Sequence, residues 1–432
     1  MDDGSHIKKM NSKTLYICYF GVRQPLVQTQ VIPYLLEIAK DGIDVSLLTF
    51  EPDFKSKWNA DEIETERKMM AEKGVDWHCL PYHKRFSVIA TAYDVFRGAW
   101  FIRRMIGEKK LDILHGRVHV PTLMGAIARK FSKRKPRLLF DIRGFFPEEY
   151  TDAGIWPENG IVYRMVKRIE RWLIKEADGF VVLTERAREI LFPESRETGF
   201  DKLRRPVEVI PCCVDLERFE ADGKISREEM RKKLNIAERF VMVYVGSFGG
   251  WYLTKETADF YGELKRQRAD AFALILTQSK PEMIEPLLRK HGYNDGDVLI
   301  TQVLPGDIPM YLRAADAAVS FIKPCYSKQA SSPTKNAEYL ACGLPIIVND
   351  GIGDTTEFTQ NDATGVVIKE FSDNSYAAAL DKFWEIMMDR HSLSEKCTRS
   401  ARDRFDLSSI GGERYRHLYQ RLFIEYSRSE KF

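Results

Sequence analysis

Long apolar runs are missing from the 432-residue sequence. None reaches the roughly 18 residues that a membrane-spanning helix needs, so we expect no transmembrane segment. The seven cysteines form neither an even set nor a pattern of paired spacings, which argues against a disulfide framework. Cys212 and Cys213 are adjacent and cannot form a CxxC metal site. These absences predict a reduced, cytoplasmic protein.

Motifs for metals and for nucleic acids are missing as well. The eight histidines show no spacing such as HExxH, and no DxD motif ends a predicted strand. We therefore expect no metal and no bound cofactor. No nucleic-acid-binding module is recognisable and aromatic residues are not placed for base stacking, so nucleic acid is not an expected partner.

Enough apolar material is present for large hydrophobic cores. Hydrophobic residues make up 44% and aromatic residues 12% of the chain, which excludes a mostly disordered protein. At 432 residues the chain is too long for one ordinary core. The usual size of about 150 residues per domain predicts two or three domains.

Positive charge is concentrated in residues 84–137. This segment has 14 basic and 3 acidic side chains, a net charge of +11. One interpretation is a solvated basic face, and the other is attraction to an anionic surface. Anionic lipid is the better candidate surface, which predicts peripheral association with the inner face of the plasma membrane. We expect this binding to be electrostatic, because Phe96, Trp100 and their apolar neighbours are interpreted as the core face of a helix.

Strand-like and helix-like patterns alternate along the chain, which predicts an α/β fold with parallel sheets covered by helices. In the first half the predicted strands are 14–20, 45–50, 75–80, 111–115, 138–141, 179–183 and 207–211, and the predicted helices are 26–40, 61–73, 93–110, 121–131 and 161–177. In the second half the predicted strands are 240–246, 272–277, 298–302, 317–321 and 345–348, and the predicted helices are 255–268, 281–291, 308–314 and 334–342.

This pattern predicts two Rossmann-like, doubly wound domains that face a central cleft. The predicted domains are residues 11–215 and 216–405, and residues 406–432 form a C-terminal helix. The polar segment 215–239 is the expected hinge. Tyr415, Leu418, Tyr419, Leu422 and Phe423 recur at helical spacing in the C-terminal segment, which indicates burial without identifying the partner.

The most informative stretch is ASSPTKNAEYLACGLPIIVN at 330–349. Ser331, Ser332 and Thr334 are candidate helix caps, and the free amides of a helix start favour an anion such as a diphosphate. Lys335 adds a full positive charge there. Glu338 lies one turn later on the same face and is placed to accept hydrogen bonds from sugar hydroxyls. The alternative is an ordinary capped core helix with a surface Lys–Glu pair.

The same stretch resembles the signature of retaining GT-B glycosyltransferases of family 4, in the branch that makes bacterial surface polysaccharides. In that family a Glu-x7-Glu motif precedes an A-C/A-G-x-P turn. Glu338 matches the second Glu, and the resemblance implies that it binds the ribose of a nucleotide donor. Ala330 stands in place of the first Glu, whose role in the family is to contact the donor sugar.

The resemblance extends over about residues 14–430 and implies further donor contacts. Gly21 matches a loop glycine that lets the backbone approach the donor phosphate. YVGSFGGWYLT, which contains Gly246, lies where the family begins its second domain. Ser247 and Tyr252 stand where many members have an Arg and a Lys on the diphosphate. Lys335, Lys255 and Arg143 are the candidate substitutes. The resemblance also implies that the C-terminal helix crosses back to the first domain.

Candidate catalytic and acceptor-side residues follow two strands of the first half. Arg143 is a candidate for binding an anionic group, and Asp141 for orienting it or accepting a proton from the acceptor hydroxyl. The alternative is a structural Asp–Arg pair that fixes a loop. His115 and Arg117 end the preceding strand and are candidates for the acceptor side, although a single His at a strand end is more often a structural group.

Together with these features, the resemblance implies a retaining, metal-independent glycosyltransferase. Its donor would be a UDP- or GDP-linked sugar, its acceptor a glycan or a lipid-linked hydroxyl, and its candidate catalytic residues Asp141, Arg143 and Lys335. The alternatives are a GT-B epimerase or phosphorylase, and a catalytically degenerate subunit that binds a nucleotide sugar. The missing first Glu and the missing Arg and Lys motivate the last of these.

Overall fold

The computed structural model describes residues 12–83, 87–219 and 225–429. They form two compact units. The first contains the residues up to Ile210 and those from Leu407 onward, and the second contains Pro211–Asp406. The first boundary therefore follows Ile210 rather than residue 215. The reason is that Val214 donates its backbone N–H to the carbonyl of Phe405 at 2.8 Å, which ties this stretch to the second unit.

The first unit is built on a seven-stranded parallel sheet with the order β3-β2-β1-β4-β5-β6-β7. Its strands are β1 Lys13–Ile17, β2 Asp44–Glu51, β3 Val75–Pro81, β4 Ile113–Arg117, β5 Arg137–Ile142, β6 Gly179–Val182 and β7 Val207–Val209. Its helices before β7 are α1 Pro25–Gln30, α2 Ile32–Ala39, α3 Phe54–Lys57, α4 Ala60–Glu72, α5 Ser87–Lys109, α6 His119–Lys130, α7 Phe146–Asp152, α8 Ile161–Glu176, α9 Glu185–Leu191 and α10 Ser195–Thr198. The strand order reverses between β1 and β4, which is the switch point of a doubly wound sheet.

The C-terminal segment completes the first unit. It consists of a π-helical turn at Leu407–Gly412 and the helix that we number α19, Glu413–Ser429. The hydroxyl of Tyr419 lies 3.2 Å from that of Thr14 on β1, and Arg414 donates to the carbonyl of Val209 on β7. This helix therefore packs on the sheet of the first unit.

The second unit is built on a six-stranded parallel sheet with the order β10-β9-β8-β11-β12-β13. Its strands are β8 Phe240–Val245, β9 Ala271–Leu276, β10 Val298–Thr301, β11 Ala317–Ser320, β12 Ile346–Asn349 and β13 Gly365–Ile368. Its helices are α11 Arg227–Lys233, α12 Thr254–Gln267, α13 Glu285–Lys290, α14 Ile308–Ala314, α15 Thr334–Ala341, α16 Thr355–Asn361, α17 Asp373–Met387 and α18 Arg390–Phe405. Short 3-10 turns lie at Leu216–Arg218, Pro281–Met283 and Tyr326–Ala330. Apolar side chains cover both faces of this sheet, and the strand order reverses between β8 and β11.

The predicted α/β class with two Rossmann-like, doubly wound domains is confirmed. The expected hinge at 215–239 is wrong for the described residues of that segment, and residues 220–224 lie outside the described chain. A capping box between Ser226 and Glu229 begins α11, and Met230 and Ile236 are buried in the core of the second unit. The composition of the segment is polar because α11 is a surface helix with one apolar face.

Helix α5 is oriented differently from the prediction. Its core face consists of the buried residues Val95, Ala99, Ile102, Met105 and Ile106. Phe96 and Trp100, which the sequence assigned to the core, are 70% and 65% exposed. The helix has apolar side chains on two faces, and only one of them packs on the sheet. Within the described chain, no helix is both long and apolar enough to cross a membrane.

Candidate active site

Gly246 and the start of α15 lie at the switch point of the second sheet. Gly246 follows β8, and α15 connects β11 to β12. The backbone φ of Gly246 is +134°, a conformation that residues with a Cβ rarely adopt. A Cβ at this position would lie 3.1 Å from Nζ of Lys335. Glycine therefore provides both the backbone conformation and the space into which Lys335 reaches.

Lys335 is a buried cation without a hydrogen-bond partner. Its side chain is on the first turn of α15, the residue is 8% exposed, and Nζ makes no hydrogen bond. Nζ lies 4.5 Å from the ring centre of Tyr244 and 4.3 Å from that of Tyr252, so the ammonium is held by two aromatic faces. Burial lowers the pKa of Lys335 to about 7, and the carboxylate of Glu338 opposes this effect. A buried ammonium left without hydrogen bonds is a strong site for an anion.

Glu338 lies one helical turn after Lys335 and is half-buried. Burial raises the pKa of Glu338 to about 7, against the opposing effects of Arg218 and Lys335. Glu338 and Lys335 form no ion pair, and Lys335 is not on the surface. The alternative of a surface Lys–Glu pair on an ordinary helix is therefore wrong.

The predicted caps of α15 are also wrong. The residue before the helix is Pro333, and no side chain caps its first turn. Ser332 instead accepts a hydrogen bond from the backbone N–H of Cys212 at 3.1 Å, because the chain approaches α15 in an extended conformation. Thr334 is the first helical residue and is half-buried. No side chain therefore occupies the first amides of this helix, and free amides at a helix start are suited to binding an anion.

The structure separates the three candidate substitutes for the missing cationic pair. Lys255 is at the start of α12, is 75% exposed at its side chain, and pairs with Asp259 at 2.6 Å. Arg143 is in the first unit and lies 3.7 Å from Asp141. Only Lys335 is beside Gly246 with its charge unmatched. Ser247 is exposed next to Gly246, and its carbonyl accepts a hydrogen bond from the Tyr244 hydroxyl at 2.6 Å.

The candidate residues of the first unit form one buried network. His115 on β4 contacts Tyr419 through Nδ1 at 2.9 Å and Asp141 through Nε2 at 3.4 Å. Tyr415 donates to Asp141 at 3.0 Å, and Arg143 lies on the other side of that carboxylate. Burial alone would raise the pKa of Asp141, but Arg143, His115 and Arg117 together lower it to about 2. Burial lowers the pKa of His115, which is fully buried.

Arg117 and Gly21 are both buried within the first unit and make other contacts. Arg117 is paired in register with Asp141 across β4 and β5, is buried, and donates to Tyr16 at 3.3 Å. Gly21 is buried where a Cβ would lie 2.7 Å from Oε2 of Glu51. The network therefore joins the sheet to α19. It favours the alternative weighed from the sequence, in which Asp141 and Arg143 form a structural pair.

Two families match the sequence. Residues 226–404 match the family described as glycosyl transferases group 1, and residues 27–218 match glycosyltransferase family 4. The chain is a glycosyltransferase of the family 4 type. No protein of curated function shows significant similarity to the sequence.

Solved structures of low sequence identity share the fold of this glycosyltransferase. Sucrose-phosphate synthase from Thermosynechococcus elongatus is 15% identical, with a TM-score of 0.70 and coverage of 96% of this chain and 100% of that one. Anabaena HepE in complex with UDP and glucose is 14% identical, with a TM-score of 0.66 and coverage of 95% and 100%. WaaG, a glycosyltransferase involved in lipopolysaccharide biosynthesis, is 18% identical, with a TM-score of 0.62 and coverage of 93% and 98%.

Three residues of the glycosyltransferase site escaped the sequence-based prediction. Tyr244 and Tyr252 enclose Lys335, and Arg218 acts on the charge of Glu338. The sequence analysis identifies Tyr252 only as the residue that replaces the lysine of other family members. Nothing in the spacing of Tyr244 or Arg218 distinguishes them from core and surface residues.

Proposed function

We propose that this glycosyltransferase moves a sugar from a UDP- or GDP-linked donor to a hydroxyl of a glycan or lipid-linked acceptor. The proposal includes retention of the anomeric configuration and independence of a metal ion. The observation that carries it is Lys335, a buried ammonium without a hydrogen-bond partner beside Gly246 and the uncapped start of α15. A diphosphate would satisfy both the ammonium and the helix amides.

The chemistry requires stabilisation of a leaving diphosphate. In the proposed reaction the bond between the anomeric carbon and the diphosphate oxygen breaks, and negative charge develops on the diphosphate. The acceptor oxygen forms its bond to the same face of the anomeric carbon, and its proton passes to the departing diphosphate. Lys335 and the first amides of α15 are positioned to stabilise the developing charge, which is the largest contribution that such a site can make.

Glu338 is proposed to accept hydrogen bonds from the ribose hydroxyls of the donor. Its half-buried carboxyl lies one turn from the proposed diphosphate position, as a ribose would require. We expect Glu338→Gln to weaken binding of uridine and UDP by a similar factor of about ten, because both ligands carry the ribose. Calorimetry with the two ligands tests this assignment, and an unchanged affinity for both would contradict it.

The first unit is proposed to bind the acceptor, but Asp141 and Arg143 receive a different role from the catalytic one predicted. Asp141 and Arg143 hold His115 and α19 in place through buried contacts. We therefore propose them as positioning residues of the acceptor domain, and direct roles for His115, Arg117 and Gly21 stay predictions. The involvement of WaaG in lipopolysaccharide biosynthesis supports a surface-polysaccharide acceptor. An anionic membrane surface, approached through the basic side of α5 and α6, would fit a lipid-linked acceptor.

Turnover of a panel of UDP- and GDP-sugars tests the proposal. Released nucleoside diphosphate is measured for the natural sequence and for Lys335→Met, which keeps the length of the side chain but not its charge. We expect slow hydrolysis of at least one donor without acceptor, and a loss of at least about a hundredfold in the variant. Once an acceptor is found, the anomeric coupling constant of the product tests retention.

A second candidate function rests on the residues at three positions. Ala330 is buried where the family has a donor-sugar Glu, and Ser247 and Tyr252 replace its cationic pair. These replacements favour a subunit that binds a nucleotide sugar without turning it over. Tight binding of UDP or GDP with no release of diphosphate from any donor would support this second function. Release of a nucleotide sugar in which the configuration at one sugar carbon is inverted would instead indicate an epimerase.

A further inference from the structure

The outer face of α5 is apolar although no part of the described chain covers it. Ile89, Tyr93, Phe96 and Trp100 follow one another at intervals of four, three and four residues, so they lie on one side of the helix. Each is exposed, with Ile89 74% accessible. We call these four residues the apolar stripe. Several large apolar side chains exposed in a row indicate an interaction site.

The charges around the apolar stripe are positive. Arg97 lies within it, and Arg103 and Arg104 follow it on the exposed part of α5. Arg103 donates through Nε to the carbonyl of Phe131 at 2.8 Å, which joins α5 to the exposed end of α6. Phe131 is itself 68% exposed, and Lys130 and Lys133 flank it in the sequence. The basic residues on the exposed part of α5 and those at the end of α6 therefore belong to one surface.

Charge alone is a weaker attraction than the sequence indicates. Part of the net charge of +11 is matched by acidic residues outside the segment, because Arg129 and Arg137 pair with Asp178 and Lys109 pairs with Asp76. Arg134 pairs with Asp112, which the net charge already counts. Arg117 is buried in the first unit. Lys84 and Arg85 lie outside the described residues. In the described chain, Arg97, Arg103, Lys130 and Lys133 have no acidic partner.

We propose that the apolar stripe inserts into the interfacial layer of an anionic membrane, with the surrounding basic residues on the lipid headgroups. Three of its four members are aromatic, and Trp and Tyr favour the boundary between headgroups and acyl chains. An amphipathic helix with a basic polar side lies in this plane and buries its apolar face by about 5–10 Å. The inference rests on the membrane association proposed above and adds the segment that enters the bilayer.

The positive surroundings favour a membrane over a second copy of the chain. Two copies joined stripe to stripe would bring Arg97, Arg103 and Arg104 of each copy toward the same residues of the other. Like charges in such an interface repel one another. Anionic lipid offers both the apolar layer and the opposite charge that this surface lacks.

Flotation with lipid vesicles tests the proposal. The full chain and its Phe96→Ser/Trp100→Ser variant are mixed with vesicles of phosphatidylcholine, alone or with about one-third phosphatidylglycerol, at a physiological salt concentration of about 0.15 M. We expect recovery on the anionic vesicles only, and a partition coefficient at least about tenfold lower for the variant. Ile161→Ser/Leu203→Ser removes two exposed apolar side chains elsewhere on the first unit and is expected to bind as the natural sequence does.

Insertion itself is measured with lipids brominated on their acyl chains, which quench tryptophan emission at short range. We expect quenching in the natural sequence and its loss in Trp100→Phe, which keeps vesicle binding. Equal binding by Phe96→Ser/Trp100→Ser and the natural sequence would reduce the interaction to charge and overturn the proposal. No flotation, or a vesicle-free dimer that the same variant dissociates, would also overturn it.

The vesicle measurement uses neither donor nor acceptor, so it is separable from the proposed transfer reaction. Lys335→Met is expected to float as the natural sequence does, and Phe96→Ser/Trp100→Ser is expected to bind UDP with unchanged affinity. A failure of nucleotide binding would thus leave the membrane result intact, and a failure of flotation would leave the donor site intact.

Discussion

At the scale of single residues, Lys335 is the residue whose burial is most unfavourable and whose binding role is clearest. Its ammonium is removed from water without a hydrogen bond, and the faces of Tyr244 and Tyr252 and the charge of Glu338 compensate for only part of the loss. A buried charge of this kind destabilises the folded protein unless a partner arrives. Functional sites are the places where such local costs are found.

We therefore expect Lys335→Met to stabilise the protein. The pKa of Lys335 falls from its ordinary 10.5 to about 7 on folding, so the unfolded chain binds this proton more tightly than the folded protein does. The protonated lysine therefore lowers the free energy of unfolding at any pH well below 10.5. Removal of the ammonium should raise the free energy of unfolding by about 1–3 kcal/mol at pH 7. The gain is largest below pH 7 and shrinks as the pH rises toward 10.5. Urea denaturation at pH 7 and pH 9 measures it, and a destabilised variant would indicate a structural lysine.

The sequence could predict where Lys335 and Glu338 lie relative to each other, but not what surrounds them. Their spacing of three residues places both on one side of a helix. The partners of Lys335 come from positions 244 and 252, which the sheet brings to the same switch point. Burial and the missing hydrogen bond follow from that long-range arrangement, and no local pattern encodes it. The wrong prediction of the caps of α15 has the same origin, because Ser332 bonds to the distant Cys212.

At the scale of elements, α19 contacts its sheet through buried hydroxyls as well as through the buried apolar side chains of Leu418 and Leu422. Tyr415 donates to Asp141, and Tyr419 contacts both His115 and Thr14. The helical spacing of these residues indicated burial, and the resemblance to the family implied the partner. The contacts themselves required the register of β4 and β5, which sets Arg117 beside Asp141.

The hydroxyl of Tyr415 is expected to be worth more than an ordinary tyrosine hydroxyl. Tyr415→Phe removes the shorter of the two hydrogen-bond contacts of Asp141 Oδ2 and leaves only the 3.4 Å contact with His115 Nε2, which should cost about 1.5–3 kcal/mol. Tyr93→Phe, which removes an exposed hydroxyl from the same unit, is the matched control and should cost almost nothing. Hydrogen–deuterium exchange of the amides of β4 and β5 reports the loss. Equal protection in the two variants would show that the contact with Asp141 adds no stability.

Helix α5 shows why the sequence alone does not always predict which face of a helix packs on the core. Val95, Ala99, Ile102 and Ile106 recur at helical spacing, and so do Tyr93, Phe96 and Trp100. Either set fits a core face, and aromatic residues are the usual choice for one. The structure packs the smaller aliphatic set on the sheet, because α5 lies close to it and to α6, and Gly98 is in contact range of Phe50 and Met124.

At the scale of the whole molecule, the alternation of strands and helices was sufficient to predict two doubly wound sheets. The boundaries of those units were less predictable, since Val214 joins Phe405 through a single backbone bond far along the chain. Residues 226–239, which are polar in composition, are part of the second unit because α11 contributes Met230 to its core.

The whole-molecule proposal of metal independence has its own test. Lys335 and the start of α15 supply positive charge at the proposed diphosphate position, the task that a divalent cation performs in metal-dependent transferases. We expect donor turnover to change by less than about twofold when EDTA is added, because the amine of Lys335 is part of the protein and a chelator cannot remove it. The control is Lys335→Met, whose turnover should fall sharply with or without EDTA. Turnover that EDTA abolishes and added Mg²⁺ restores would contradict the proposal.

The most direct test of the donor site is calorimetric titration of UDP and uridine into the natural sequence and Lys335→Met at pH 8. At that pH the buried Lys335, with a pKa of about 7, is largely neutral, and a diphosphate should restore its charge. We predict that UDP binding takes up close to about one proton, measured from buffers of different ionisation enthalpy, and that uridine binding takes up none. Lys335→Met should lose the uptake and bind UDP about 10–100-fold more weakly, with uridine unaffected. UDP binding without proton uptake, or equal losses for both ligands, would contradict the assignment of Lys335 to the diphosphate.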